Sequence, residues 1–375
     1  MRRAVLLVLL LVLCCESALA HKPSDSYLSL RIDGHEIQGQ WDIALRDLEH
    51  AIGLDEDADG AITWGELHRR HEAIAAYALP RLQLAADDAP CPIQVQEQLV
   101  DHHSDGAYTV LRFVADCPHV PTALTLDYAL LFDLDALHRG LLRLDHDGWT
   151  ETAVIGPDNP VRRFALDAPR PWRALADYFT QGVWHIWIGF DHILFLVSLL
   201  LPSVLHWEGG DWRGAASFRA ASLDVVKVVT GFTLAHSITL SLAVLGFVSL
   251  PSRLVESLIA ASVLLAAVNN LYLLFPGRRA MVAFAFGLIH GLGFATVLID
   301  FGLPAGALVP ALVGFNLGVE AGQLAIVGVF LPLAFSVRDS RAYVQLGLRL
   351  GSVLIALTAS IWLAERSLKI QGLFS

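Results

Sequence analysis

The chain has 375 residues, 55% of them hydrophobic, with a mean hydropathy of +0.53 and a formal net charge of −11. That is too apolar for an ordinary soluble domain, and no basic patch suited to nucleic acid is present. The charge is unevenly divided: residues 21–175 hold 26 acidic and 13 basic residues against 10 and 11 in 176–375, so the acidic excess, which suits cations, is N-terminal.

Arg2 and Arg3, the apolar run Ala4–Leu13 and Ser17-Ala18-Leu19-Ala20 follow the order of a cleavable signal peptide over residues 1–20. Leu13 before Cys14 argues against a lipidation site. Cleavage after Ala20 exposes His21, whose α-amine and imidazole together chelate Cu(II) or Ni(II). No third ligand can be named, since His102 and His103 in DHHSDG also read as a polar turn, so His21 is read as the residue that happens to follow the cut.

Residues 27–42 and 107–166 alternate apolar and polar positions between Gly, Asp and Pro, the pattern of short antiparallel strands in a small β-sandwich-like domain. A helical insertion is expected at about 44–82. Within it, Asp55-Glu56-Asp57-Ala58-Asp59-Gly60-Ala61-Ile62-Thr63-Trp64-Gly65-Glu66 fits the calcium loop of an EF-hand at every position. Asp55, Asp57 and Asp59 supply hard oxygens, Ala61 its carbonyl, Thr63 the position that often acts through water, and Glu66 a bidentate carboxylate. A single such loop is expected to staple a fold with Ca²⁺. Once the leader is gone, Cys91 and Cys117 are the remaining cysteines, and an oxidising compartment predicts a disulfide between them.

From Ala176 onward long apolar runs predict membrane spans near 182–202, 223–248, 254–275, 280–300, 308–335 and 343–364. Arg213, Arg219, Arg278, Arg279, Arg338 and Arg341 then fall on the cytoplasmic side and Arg253 outside, so both the N-terminal domain (21–175) and the C-terminus are expected on the periplasmic face of a bacterial inner membrane. Trp172, Tyr178, Trp184 and Trp187 read as an interfacial belt. The fold class expected is an α-helical six-span bundle (176–375) preceded by an exported, mostly-β, sandwich-like domain with an EF-hand-like insertion.

The spans carry costly groups. The first has His185, Gly189, Asp191 and His192; as one continuous helix it would set the two imidazoles on one face roughly 10 Å apart along the axis. The second holds Thr230, Thr233, His236 and Ser237, the third Asn269-Asn270, the fourth His290, and the fifth Asn316, Glu320 and Gln323 on one face. Singly, each fits a helix-to-helix hydrogen bond, and Gly287, Gly291 and Gly293 fit close packing. Together, His185, Asp191, His192, His236, His290 and Glu320 point to a metal or proton site. Imidazoles without a thiolate suit Ni²⁺, Co²⁺, Cu²⁺, Zn²⁺ or Fe²⁺, with Asp191 either a ligand or the residue orienting one.

The run His185-x-x-x-Gly189-x-Asp191-His192 resembles the H-P-x-x-G-x-D-H signature of the HupE/UreJ membrane proteins, with Ile186 in place of the signature's proline. GFTLAHSITLSLAVLG and GLIHGLGFATVL are similar to that family's later histidine-bearing helices, and the exported domain resembles its longer branch. The resemblance implies nickel or cobalt permease activity. Three readings stay open: a secondary permease with metal ions as cargo; an intramembrane metal-dependent hydrolase with Glu320 as base; and a non-catalytic receptor or assembly factor whose exported domain binds a periplasmic protein.

Overall fold

The computed structural model describes residues 24–103, 106–166, 171–295 and 305–368. The expected signal peptide, His21 and the Trp172 side chain lie outside the described residues. The chain divides into two units, one of residues 21–177 with 297–311 and the other holding 178–296 and 312–375.

The N-terminal unit is mostly β. Strands β1 (Asp25–Asp33), β2 (Glu36–Ala44), β5 (Ile93–His103), β6 (Gly106–Asp116), β8 (Arg139–His146) and β9 (Trp149–Ile155) form a six-stranded sheet in the order β5-β6-β2-β1-β8-β9. Strands β3 (Leu82–Ala86), β4 (Ala89–Pro90), β7 (Ala123–Tyr128) and β10 (Val161–Ala165) form a second sheet, β10-β7-β3-β4. Alternation in β1 turns Leu28, Leu30 and Ile32 to one face, where they meet Leu84, Leu124 and Leu126 of the other sheet in a single core. The β8–β9 hairpin turns on Asp147 (φ 44°) and Gly148 (φ 78°), the Asp-Gly pair that suits a tight hairpin because both positions need positive φ.

Two expectations need correction here. The strands are not all antiparallel: β1 pairs with β8 in parallel, which the intervening hairpins and helices permit because more than a hundred residues separate the two in sequence. DHHSDG is not simply a turn, since Asp101, His102 and His103 end β5, and His103 donates from Nε2 to Asp42 Oδ2 at 3.0 Å while stacking on Tyr27.

Cys91 and Cys117 form a disulfide. It ties the chain leaving the small sheet to the end of β6, closing a separation of 26 residues. Removing it with Cys91→Ala/Cys117→Ala should cost about 2–4 kcal/mol, read from the denaturant midpoint of the full chain.

The helices α1 (Leu45–Ile52), α2 (Trp64–Arg69) and α3 (His71–Ala78) occupy the expected insertion. Leu45, Leu48, Leu67 and Ile74 are their buried residues, and these join the β core, which anchors the loop between α1 and α2.

The second unit is helical: α4 (Pro171–Ile188, whose first residues belong to the other unit), α5 (Phe190–Leu200), α6 (Phe218–Val244), α7 (Ser252–Tyr272), α8 (Arg279–His290), α9 (Ala305–Val337) and α10 (Gly351–Leu368), with a π-helical stretch Tyr343–Leu350 leading into the last. Among the described residues, four helical segments are long and apolar enough to cross a membrane, and a fifth crossing results if α4 and α5 count as one. Outward-facing Leu234, Leu317, Val329 and Leu357 stay exposed, as lipid-facing residues do. Of the expected span 280–300, α8 supplies 12 residues, short of the about 20 that a crossing needs, and residues 296–300 lie outside the described ones.

The first span is not the continuous helix the sequence suggested. It bends by 71° where Gly189 separates α4 from α5. Gly189 leaves the helical region (φ −74°, ψ 93°), and its N–H still bonds His185 O at 3.1 Å. Between α5 and α6 the chain forms a hairpin of β11 (Leu205–Glu208) and β12 (Asp211–Gly214). Tyr178 is buried at 3% exposure and so does not belong to an interfacial belt, whereas Trp184 and Trp187 are exposed.

Candidate metal centre

Glycines set the helices close enough for their polar side chains to meet. A Cβ on Gly182 would lie 2.1 Å from Phe315 O and one on Gly318 2.0 Å from Phe179 O, so α4 and α9 cross backbone to backbone. Gly287 and Gly291 do the same for α8 on α6, against Phe232 O and His236 O at 2.4 and 2.3 Å. Both are thus close-packing positions.

The bend at Gly189 folds His192 back beside His185, with ring centroids 4.4 Å apart instead of the axial separation of a straight helix. His236 from α6 lies 6.4 Å from His185, and His290 at the end of α8 lies 5.1 Å from His192, again centroid to centroid. Four imidazoles tetrahedrally bound to one metal at about 2.1 Å hold their centroids ~5 Å apart. Phe195, Phe232, Phe294 and Phe315 line the cluster, and Phe294 stacks on Phe315 at 4.1 Å beside His185.

The hydrogen bonds fix the tautomers of three of the rings. His192 Nδ1 donates to Asp191 Oδ1 at 2.8 Å. His236 Nδ1 donates to Asn316 Oδ1 at 3.2 Å, while that amide's nitrogen donates to Leu312 O. Ser262 spends its hydroxyl proton on Ile259 O, so His290 Nε2 is the donor to Ser262 Oγ at 2.8 Å. What remains on each ring is a bare lone pair. Each of the four clustered histidines has one buried ring nitrogen without a hydrogen-bond partner: His185 Nε2, His192 Nε2, His236 Nε2 and His290 Nδ1. Buried polar atoms are rarely left unpaired, and a ring held through one nitrogen with the other free is how metal-binding histidines are presented.

Asp191 is therefore placed to orient His192 rather than to stand as an independent ligand. Its Oδ1 also accepts the His192 N–H at 2.9 Å, and Oδ2 faces Arg366 Nη1 at 3.7 Å. Glu320 accepts a hydrogen bond from Thr230 Oγ1 at 2.8 Å. Gln323 accepts from Thr233 on the same pair of helices, so Asn316, Glu320 and Gln323 turn one face of α9 to α6. Asn270 bridges Ser198 O and Ser352 Oγ between α5 and α10, which is helix glue. Sequence reasoning missed Ser262 and Arg366; a serine inside a span and an arginine at the end of one carry no pattern that would single them out.

Among the described residues, three possible ligand atoms already lie within 4.8 Å of one another at Asp55, Asp57 and Asp59 alone. No three of the imidazole nitrogens come that close to one another.

In the loop between α1 and α2, Asp55 accepts from Gly60 N and Asp59 from Ala61 N, both at 2.8 Å, and Gly60 has the positive φ (85°) of a sharp turn. Glu66 Oε2 accepts from Thr63 N and Oγ1 at 2.8 and 2.7 Å, a capping box that starts α2, and Oε1 accepts from Glu56 N. These donors hold the Glu66 carboxyl down to about 2. Thr122 does the same for Asp87, also at about 2. Burial, with Arg139 adjacent, lowers His138 from 6.5 to about 3, where it bonds Ser24 and Tyr128.

All three shifts make the N-terminal unit acid-labile. The unfolded chain takes up protons that the folded groups refuse, so stability present above the unfolded values is lost as pH falls. For His138 the window runs from 6.5 down to about 3, and for Glu66 from 4.5 down to about 2. Protection factors within β1–β10, measured against the intrinsic exchange rate at each pH, should be constant above pH 6.5 and fall steadily below it, and flat protection factors down to pH 4 would count against this assignment.

No curated protein matches the chain. The family model described as HupE / UreJ protein matches residues 162–366. That stretch contains all four histidines, Asp191, Glu320 and Arg366, and spans more than half the chain. The protein belongs to the HupE/UreJ family, which is associated with nickel or cobalt transport or urease maturation.

Proposed function

We propose that the protein is a secondary permease for a divalent transition metal, with Ni²⁺ or Co²⁺ as cargo, in the bacterial inner membrane. The observation that carries this reading is the set of four buried imidazoles, each with one unpartnered ring nitrogen. All-nitrogen donors suit these ions, and no thiolate is present to favour Cu(I). The helices break beside the ligands, at Gly189 and just after His290, as they do around the central sites of transporters. Imidazole nitrogens that are not gathered around one point fit cargo that binds and leaves better than a resident catalytic metal. The metal-handling association of the family points the same way.

On this reading residues 1–20 are a removed leader, the bundle crosses six times, and the β unit faces the periplasm, where it is open to a protein partner. Asp55, Asp57, Asp59, Ala61, Thr63 and Glu66 hold Ca²⁺ as a structural staple. Glu66→Gln should then weaken Ca²⁺ binding at least tenfold, as loss of the bidentate ligand would, and remove the Ca²⁺-dependent rise in melting temperature. A melting temperature indifferent to Ca²⁺ in the parent protein would count against the staple.

The direct test of transport is Ni²⁺ uptake into liposomes carrying the parent protein or His185→Ala, with bound metal per chain measured alongside. Uptake in the parent protein alone, with weak exchangeable binding, is the expected result. Tight stoichiometric metal without uptake would favour a metal-dependent hydrolase. Equal behaviour of both proteins would remove the metal site and leave a receptor or assembly role.

A further inference from the structure

Asp191 has two oxygens with different duties. Oδ1 holds His192 Nδ1, and Oδ2 faces the guanidinium of Arg366 from the last turn of α10 at 3.7 Å. Arg366 and Asp191 are each only 19% exposed at the side chain, so solvent screens the pair incompletely. The arginine is itself held in place. It donates from Nη1 to Glu256 O near the start of α7 at 3.2 Å, and its guanidinium carbon lies 5.7 Å from the Trp362 ring centroid. Arg253 in turn donates to the carbonyls of Arg366 and Ser367, which fixes this end of α10. Yet 3.7 Å is too long for a hydrogen bond, so the ion pair parts without the loss of one.

We infer that Arg366 is a built-in competing cation that keeps the metal site weak: it neutralises the free oxygen of Asp191 while the site is empty, and its charge opposes the incoming ion. This rests on the metal-site reading above and adds to it the residue that sets affinity. A divalent ion on His192 Nε2 draws electron density from the ring, and the bond from Nδ1 to Asp191 strengthens in response. The same carboxylate cannot serve the imidazole and the guanidinium fully at once. Arg366 therefore acts on the ion through Asp191, as a positioning residue, and favours release. Without it the ion would gain the full charge of the aspartate and bind too firmly to leave.

The test is Co²⁺ titration of the full-length protein in detergent, followed by the visible absorption of the bound ion, with transport in liposomes measured beside it. Arg366→Gln should tighten Co²⁺ binding about tenfold, the scale of removing one nearby charge in a partly screened site. The shape of the visible spectrum should not change, because the nitrogen ligands are the same, and turnover should fall. Arg366→Lys should return the affinity most of the way to the parent value. In Asp191→Asn the Arg366→Gln substitution should add almost nothing, which a general loosening of the fold would not reproduce. If Arg366→Gln does not fold, Arg366→Met keeps an apolar stem and gives the same reading. Unchanged or weaker binding in the charge-removed variant, or tightening that persists with Asn at 191, would overturn the inference while leaving the metal site standing. Failure of the parent protein to bind Co²⁺ would overturn the metal site and the inference together.

Discussion

His185→Ala and His192→Ala are each expected to abolish metal uptake while leaving the protein inserted in the membrane. Removing even a residue that orients a metal ligand typically costs about 10–100-fold in affinity, so losing a ligand nitrogen should cost at least the upper end of that range. Neither change opposes insertion, because alanine in place of a buried imidazole makes the span more apolar. The two variants differ in a second respect. His192→Ala strips Asp191 of its ring partner and leaves its charge to Arg366, which should also lower stability. His185 has no such dependent carboxylate, and its variant is the cleaner measure of the site. Uptake of Ni²⁺ by cells expressing each variant, normalised to protein in the membrane fraction, decides the matter. Uptake by His185→Ala within a few-fold of the parent would mean that the four imidazoles are a packing feature.

Gly189→Ala should be nearly as severe, although it adds one methyl group and replaces no ligand. A Cβ at this position would sit 2.6 Å from His185 O and 2.8 Å from His192 Nδ1. The bend of 71° must then open, or His192 must give up its bond to Asp191. Alanine favours the helical backbone over glycine by about 1 kcal/mol, so the segment is also pulled toward the straight helix. Straightening moves the imidazoles from a 4.4 Å contact to nearly two turns apart and breaks the site. Co²⁺ titration of Gly189→Ala should show affinity lost by at least tenfold with the protein still folded, and parent-like affinity would show that the bend is incidental.

Much of the organisation was legible in the residues. The split into an acidic alternating half and an apolar half follows from charge and periodicity alone, because a half-buried strand repeats every two residues and a lipid-facing helix is apolar for about twenty. The Cys91–Cys117 pair was readable from cysteine count and compartment. The clustering of imidazoles was expected from the cost of placing each in a membrane, since such groups gather where partners are. His185, His192, His236 and His290 do so.

What periodicity could not give was anything set by a departure from regular geometry or by contacts between distant segments. The first span looked continuous because Gly189 is only one weak helix former in an apolar run, and whether a glycine bends a helix depends on the neighbours that the bend satisfies. The parallel pairing of β1 with β8 is invisible to alternation, which reports the faces of a strand but not its partner. That Glu320 accepts from Thr230 was not readable either, because side-chain direction on α9 is fixed by its packing on α6. Arg366 lies 175 residues from Asp191 and meets it only because α10 ends where α5 begins. Sequence by itself determined the composition-driven facts: which segments seek water, which seek lipid, and which groups need partners once buried. Tertiary structure alone decided which partners they find, because a lone pair, an amide or a guanidinium can be satisfied by any of several residues until the backbone brings one within 3–4 Å.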